Sequence, residues 1–130
     1  MTSCRARRDE RGAAIVDVSL VLPLLLLVFL LVLQLGLILH VRNTLIVSAA
    51  EGARVGARVD AELADGVART EDLISGALNE AYAANVTSQR ATVGGVAVVE
   101  VTVQAPLPVL ALFGPEASLT VIARAFEERQ

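Results

Sequence analysis

The chain is 130 residues long, 55% hydrophobic, with a formal net charge of −3, a single His and a single Cys. This length allows at most one small water-facing domain beside a membrane anchor. The Arg residues form no cluster that could bind nucleic acid, which excludes that class of partner. One His and one Cys, without a Ser-His-acid spacing, leave no candidate catalytic residue, metal ligand or cofactor site, so we expect a protein that is not an enzyme.

The first predicted element is a membrane span. Val18–Leu39 is a run of 22 uncharged residues rich in Leu and Val. At about 1.5 Å per residue, a helix of that length reaches about 33 Å and crosses a hydrocarbon core of about 30 Å. The alternative is a cleaved secretory signal, because Ser48, Ala49 and Ala50 offer small residues for cleavage. Signal cores are only about 7 to 15 residues long, which favours a retained span.

Charge is distributed unevenly about this span. Met1–Gly12 carries four Arg against two acids, a net charge of plus two, whereas the residues after His40 carry seven Arg against eleven acids, a net charge of minus four. Basic residues next to a span stay on the cytoplasmic side. We therefore expect a basic cytoplasmic leader over residues 1–12, a transmembrane helix over residues 13–41 and an extracytoplasmic α+β domain over residues 42–130.

The helical pattern continues beyond the span to Val59. Small residues at four-residue steps let two backbones approach closely, and one such ladder consists of Ser48, Gly52 and Gly56. A second ladder lies beside it, formed by Ala49, Ala53 and Ala57. Two interpretations therefore stay open: the first ladder is a helix-packing seam, or the helix has small residues everywhere because of its composition.

A second, shorter helix is predicted after a break at Asp60–Arg69. Thr70 is expected to cap this helix, with Glu71 and Asp72 in the first turn, where the helix dipole favours negative charge. An apolar stripe at helical spacing must be covered by a sheet or by another helix. The stripe consists of Ile74, Ala77, Leu78, Ala81 and Tyr82.

After Asn85 the pattern changes from helical to alternating. Val99, Val101 and Val103 alternate with polar residues, which is typical of a strand with one face in water. The pair Gly94 and Gly95 separates two apolar runs. It predicts a two-residue hairpin turn.

The last part of the chain predicts a loop and one more strand. Proline excludes regular structure from an apolar loop, Leu107–Phe113, and the final strand is expected over Leu119–Phe126. The predicted fold class is therefore α+β: a long N-terminal helix, a second helix and a small antiparallel sheet of about three strands.

The junction of leader and span carries a resemblance to a known family. Residues 11–17 read Arg-Gly-Ala-Ala-Ile-Val-Asp, and a Leu-Val-Leu-Pro-Leu-Leu run follows. In combination with the segment Val41–Arg54, these residues resemble the TadE-like family, the minor pilins or pseudopilins of the tight-adherence (Flp-type) pilus machinery. The last third, with an alternating strand, a proline-containing apolar loop and a closing strand, is also similar to that family.

The resemblance implies a processing event and an assembly contact. A prepilin peptidase would cut after Gly12, which leaves Ala13 as the new N-terminus. The acid five places after the glycine, Asp17, would help assembly by pairing with the new amino terminus of a neighbouring subunit. The family usually has Glu at that position, and its major pilins follow it with Tyr, where this chain has Val18. The implied partners are the membrane, other pilin or pseudopilin subunits, the prepilin peptidase and the pilus assembly platform.

Two functions from different classes follow. The leading one is a non-enzymatic pseudopilin or minor pilin in the cell membrane, with its N-terminus cytoplasmic, that takes part in assembling a surface pilus or a related secretion system through its N-terminal helix. The alternative is a single-pass, membrane-tethered extracytoplasmic binding module that does not polymerise. A cleaved N-terminus favours the first function and an intact Met1 the second.

Overall fold

The computed structural model describes residues 6–108 and 117–128, with side chains described from Gly12 onwards. Two compact units are present, Met1–Gly36 and Leu37–Gln130. Residues 1–5 of the predicted leader and residues 109–113 of the predicted apolar loop lie outside the described residues.

The predicted α+β class is confirmed. A long helix comes first, a shorter helix follows, and three strands complete the chain. In order, the elements are α1 Ala6–Gly56, α2 Leu63–Ala77, β1 Val86–Val93, β2 Val96–Pro106 and β3 Ser118–Phe126. A 3-10 turn, Glu80–Tyr82, lies between α2 and β1.

In the first unit, α1 is an apolar helix with an exposed surface. The side chains of residues 13–33 are all exposed, although nearly all of them are apolar. The part of α1 from Gly12 to Gly56 is long and apolar enough to cross a membrane, and it includes the predicted span, Val18–Leu39. Such a surface is stable in lipid, where the helix satisfies its own backbone hydrogen bonds. Pro23, which lies within the helix, is tolerated in that setting.

In the second unit, the three strands form one antiparallel sheet in the order β1-β2-β3. The turn between β1 and β2 consists of Gly94 and Gly95, with φ angles of +59° and +82°. Glycine adopts this left-handed region without steric cost, and a two-residue turn with two positive φ angles matches the twist of the strands. The predicted hairpin is confirmed, with Val93 opposite Val96.

One face of the sheet forms the core with both helices. The predicted inward residues Val99, Val101 and Val103 are fully buried. Helix α1 contributes large side chains at Val41 and Leu45, and further along only small ones. The core cluster consists of Val41, Leu45, Ala49, Ala53, Ile74, Ala83, Val101, Val103, Ala105, Val121 and Ala123. The core thus joins the second half of α1 to the sheet.

The predicted start of the second helix was wrong. Helix α2 begins at Leu63, with Glu62 as its N-cap residue, so most of the expected break at Asp60–Arg69 is helical. The backbone N–H of Glu62 donates to Asp65 Oδ2 at 2.8 Å, which closes the first turn. Thr70 is not a cap, because it lies in the middle of α2 and is fully buried.

The predicted apolar stripe was only partly helical. Helix α2 ends at Ala77, so Ala81 and Tyr82 lie in the following 3-10 turn. Asn79 Oδ1 accepts the N–H of Ala81 at 3.0 Å and starts this turn. An Asn side chain that bonds the backbone two residues on favours a turn over a continuing helix. Ile74 is fully buried, as its position in the stripe predicts.

Candidate processing and assembly segment

The predicted processing residues lie on an accessible part of α1. Gly12 and Ala13 are both exposed. A Cβ built on Gly12 meets nothing within 4 Å, so the glycine has no packing role among the described residues. Asp17 is one helical turn after Ala13 and is exposed as well. Residues four apart in a helix lie on the same side, so the Ala13 nitrogen and the Asp17 carboxylate share one side of α1.

Asp17 begins an apolar surface on α1. The residues beside it on that surface are Val18, Val21, Leu22 and Leu25. Within the described side chains, from Gly12 onwards, Asp17 makes no hydrogen bond or ion pair. A carboxylate at the entrance to a membrane is costly unless it is paired or reaches the interface. A cationic group close to the carboxylate would lower this cost.

The first ladder of small residues is covered within the chain itself. Ser48, Gly52 and Gly56 are all buried, and the glycines lie against α2. A Cβ on Gly52 would lie 2.6 Å from the carbonyl oxygen of Gly66 and closer still to Thr70 Oγ1. Both ladders are therefore packing surfaces of one domain, since Ala49, Ala53 and Ala57 are buried too.

Sequence reasoning missed Gly66 and Thr70, which complete this helix crossing. The Thr70 hydroxyl donates to the Gly66 carbonyl at 2.8 Å, and this bond satisfies a fully buried side chain. The spacing Glu62-x-x-Asp65 is the signal that could have placed the helix start ahead of Gly66. The predicted processing residues lie in the first unit and this crossing in the second.

A polar row crosses the other face of the sheet, and sequence reasoning missed it too. Gln89, Glu100 and Arg124 lie directly opposite one another on the three strands. Glu100 accepts hydrogen bonds from Gln89 Nε2 at 2.9 Å and from Arg124 Nε at 2.6 Å. The pKa of Glu100 lies below its ordinary value. The largest cause is the hydrogen bond from Gln89, followed by the hydrogen bond from Arg124, and the Arg124 charge acts in the same direction, whereas burial opposes it.

A surface depression of about 670 Å³ lies where α1 ends and α2 begins. It is lined by Val55, Arg58, Val59, Asp60, Ala61, Asp65 and Glu128. Asp65 already serves there as a helix-capping acceptor. Within residues 6–108 and 117–128, no three His, Cys, Asp or Glu side chains are grouped so that they could hold a metal ion.

Comparison with known families identifies the N-terminal part of the chain. A family model described as TadE-like protein matches residues 12–54. This segment is TadE-like. The resemblance seen in the sequence is thereby confirmed for a segment that begins at Gly12 and includes Asp17, the span and Gly52. The TadE-like family consists of pilus-associated structural proteins. Most of the α+β domain, from Val55 onwards, lies beyond the matched segment.

Comparison with curated proteins gives no match, and neither does comparison with solved structures. The TadE-like segment and the exposed apolar helix together fit a membrane-anchored, pilus-associated protein.

Proposed function

We propose that the chain is a pseudopilin or minor pilin of a tight-adherence pilus or a related secretion system. In this proposal Val18–Leu39 anchors it in the cell membrane, its N-terminus is cytoplasmic, and it takes part in assembly through α1 as a non-enzymatic subunit. The observation that carries the proposal is the TadE-like match, which starts at Gly12 and covers both Asp17 and the span.

The first step of the proposed mechanism is processing. A prepilin peptidase hydrolyses the peptide bond between Gly12 and Ala13, which removes the leader and its four Arg residues. The new amino group of Ala13 is then positively charged and lies at the entrance to the span. The exposure of Gly12 and Ala13 on α1 supports access by a peptidase.

The second step is recognition between subunits. The carboxylate of Asp17 on one subunit attracts the Ala13 amino group of its neighbour. Opposite charges at about 4 Å gain about 1 kcal/mol in water and several times more near a membrane, where the effective dielectric constant is lower. The apolar surface below Asp17 then packs against the neighbour, and the ion pair fixes the register between the two helices.

The core of the second unit supports a retained helix over a cleaved secretory signal. Val41 and Leu45 precede Ser48, and Ala53 follows Ala50. Nevertheless Val41, Leu45 and Ala53 are buried in the same core. Cleavage at Ser48–Ala50 would remove Val41 and Leu45 from the domain. Loss of a buried Leu side chain alone costs about 2 to 5 kcal/mol, so we expect the fold to depend on an intact α1.

Intact-mass measurement tests the processing step. The membrane-extracted chain, expressed with its peptidase, is expected to begin at Ala13, and Gly12→Leu is expected to leave it uncleaved. Gly36→Leu is the matched control, because Gly36 lies in the same helix with equally open space around it and should not affect cleavage. A chain that retains Met1 in the presence of the peptidase would instead favour a tethered binding module that does not polymerise.

Substitution of Asp17 tests the assembly step separately. Asp17→Ala and Asp17→Asn are expected to be cleaved normally but to co-purify poorly with other pilin subunits, because neither side chain carries the negative charge. Asp17→Glu keeps the charge and should assemble like the parent chain. If Asp17→Asn assembles as well as the parent chain, the ion pair has no part in recognition.

A further inference from the structure

The two edge strands of the sheet differ in what lies against them. Helix α2 packs on β1, and Ser88 Oγ on β1 donates to the carbonyl oxygen of Leu63, at the start of α2, at 2.9 Å. Strand β3 pairs with β2 along its whole length, Ser118–Phe126, and its other side is an edge of the sheet. This outer edge of β3 is a candidate site for a further strand.

Hydrogen bonds at the two ends of the β2–β3 pair show which backbone groups face the outer edge. The N–H of Glu127 donates to the Ala97 carbonyl and the N–H of Leu107 to the Ala117 carbonyl, both at 3.0 Å. In an antiparallel pair, hydrogen-bonded positions alternate with positions that are not hydrogen-bonded. The odd-numbered residues of β3 therefore bond to β2. The N–H and C=O groups that point to the outer edge belong to Ser118, Thr120, Ile122, Arg124 and Phe126.

These outward backbone groups are open to another strand. Within residues 6–108 and 117–128, no hydrogen bond reaches the N–H or C=O of Thr120, Ile122 or Arg124. Proteins commonly block such an edge with Pro, Lys, a bulge or a covering element. Strand β3 contains no Pro and no Lys, and its unbroken register with β2 leaves no bulge. The described part of the chain therefore does not protect this edge against strand pairing.

The side chains along the edge indicate what an added strand should carry. Ile122, Arg124 and Phe126 lie on one face, because residues two apart in a strand point the same way. Ile122 is 51% exposed and Phe126 73% exposed, so two large apolar side chains flank the arginine in water. Arg124 donates to Glu100 through Nε, and its side chain is half exposed. Its terminal nitrogens remain available to a second carboxylate.

We propose that the outer edge of β3 binds one extended strand of a partner protein. This strand carries an acidic residue opposite Arg124 and apolar residues opposite Ile122 and Phe126. Main-chain hydrogen bonds provide the affinity, and cross-strand pairs of opposite charge and of apolar side chains provide the specificity. A second copy of β3 fits less well, because full-length antiparallel pairing would place Thr120 opposite Arg124 and supply no carboxylate there. The binding involves the second unit alone and is independent of cleavage after Gly12.

Amide hydrogen exchange of the full chain in detergent tests the edge directly. The amides of Thr120, Ile122 and Arg124 should exchange fast and those of Val121 and Ala123 slowly, because only the latter two bond to β2. The probe is a nine-residue peptide with Glu in the middle, Val two places away on each side and Thr elsewhere. Adding this peptide should slow the exchange of the three outward amides. A matched peptide with Lys in place of Glu should bind more weakly.

Two proline variants compare the edges of the sheet. Thr120→Pro removes an N–H that faces the outer edge and keeps the bonds to β2, so binding of the Glu peptide should weaken about tenfold. Thr92→Pro is the matched control on β1. The N–H of Gln104 donates to the Asn85 carbonyl, and the same alternation then points the N–H of Thr92 away from β2. Thr92→Pro should leave peptide binding unchanged, and thermal unfolding checks that both variants are folded.

Arg124→Gln provides a second readout that does not alter the backbone. This variant should lose the preference for the Glu peptide over the Lys peptide. Absence of binding of the Glu peptide, or equal binding of the two peptides by the parent chain, would overturn the proposal. It would be overturned equally by outward amides that already exchange slowly without peptide. Loss of that protection on dilution would then indicate a second copy at the edge.

Discussion

Gly52 and Gly66 each occupy the space that a side chain on the other would need. A Cβ on Gly52 would lie 2.6 Å from the Gly66 carbonyl oxygen, and a Cβ on Gly66 would lie 2.7 Å from the Gly52 carbonyl oxygen. Both carbonyls are backbone, which cannot turn away as a flexible side chain can, and a Cβ on Gly52 would in addition meet Thr70 Oγ1. The contact between α1 and α2 therefore depends on glycine at both positions.

The first prediction concerns this helix crossing. Gly52→Ala and Gly66→Ala should each destabilise the domain by about 1 to 3 kcal/mol, because the added methyl group pushes the helices apart. Gly56→Ala should cost less, since its nearest contact would be an ordinary 3.4 Å. Thermal unfolding of the full chain in detergent, followed by circular dichroism, measures this order.

Gly76 supplies the control for the same helix. A Cβ there meets nothing within 4 Å. Gly76→Ala should therefore stabilise α2 by up to about 1 kcal/mol through helix propensity alone. If Gly66→Ala proved as harmless as Gly76→Ala, the close crossing of α1 and α2 would not exist in solution.

The second prediction concerns pH and Glu100. Its folded-state pKa lies below the ordinary value of 4.5, so the stabilisation is fully present above that value and is lost as the pH falls through the lowered pKa. Because Arg124 is half exposed, Glu100→Gln should cost about 1 kcal/mol at neutral pH. The difference between the parent chain and the variant should vanish in strong acid, as measured by urea unfolding at a series of pH values.

A second ion pair on the sheet is the natural comparison for Glu100. Arg90 Nε lies 3.1 Å from Glu127 Oε1, and both side chains are considerably more exposed than that of Glu100. Glu127→Gln should change the stability by less than Glu100→Gln does. The free energies of unfolding of the parent chain and of Glu100→Gln are compared at each pH. A difference between them that stays the same at every pH would contradict the lowered pKa.

The third prediction concerns the hairpin turn. Gly94→Ala and Gly95→Ala should each cost about 1 to 2 kcal/mol, because an L side chain is strained at φ angles of +59° and +82°. Gly94→Asn should cost less, since Asn tolerates this region and Asn-Gly is a preferred pair in such turns. The space around both positions is open, so a clash with neighbouring residues cannot account for the loss of stability in the Ala variants.

The fourth prediction concerns orientation in the membrane. If the Arg-rich leader is cytoplasmic, protease added to intact protoplasts should digest the part of the chain after Val41 and spare the part before Gly12. The fragments of the uncleaved Gly12→Leu chain are detected with tags at the two termini. Protection of the C-terminal domain in intact protoplasts, with digestion only after lysis, would reverse the proposed topology.

Local features of this protein were predictable from its sequence. The uncharged run Val18–Leu39 marks a span because length and hydropathy alone decide whether a helix can cross lipid. Gly94-Gly95 marks a turn because only glycine adopts positive φ without cost. Alternation around Val101 marks a strand with one buried face, and the motif that begins at Arg11 carries the resemblance to the TadE-like family.

The tertiary structure decided what depends on contacts distant in the sequence. Glycine disfavours a helix interior by about 1 kcal/mol, so Gly66 looks like a helix break until α1 is packed against it. The same contact explains why the residue at position 52 is glycine. The sequence alone left two explanations open, a packing seam or a helix with small residues throughout. The lowered pKa of Glu100 likewise arises from Gln89 and Arg124, which the register of three strands places opposite it. Periodicity reports which way a side chain points, but only the packed fold determines what it meets there.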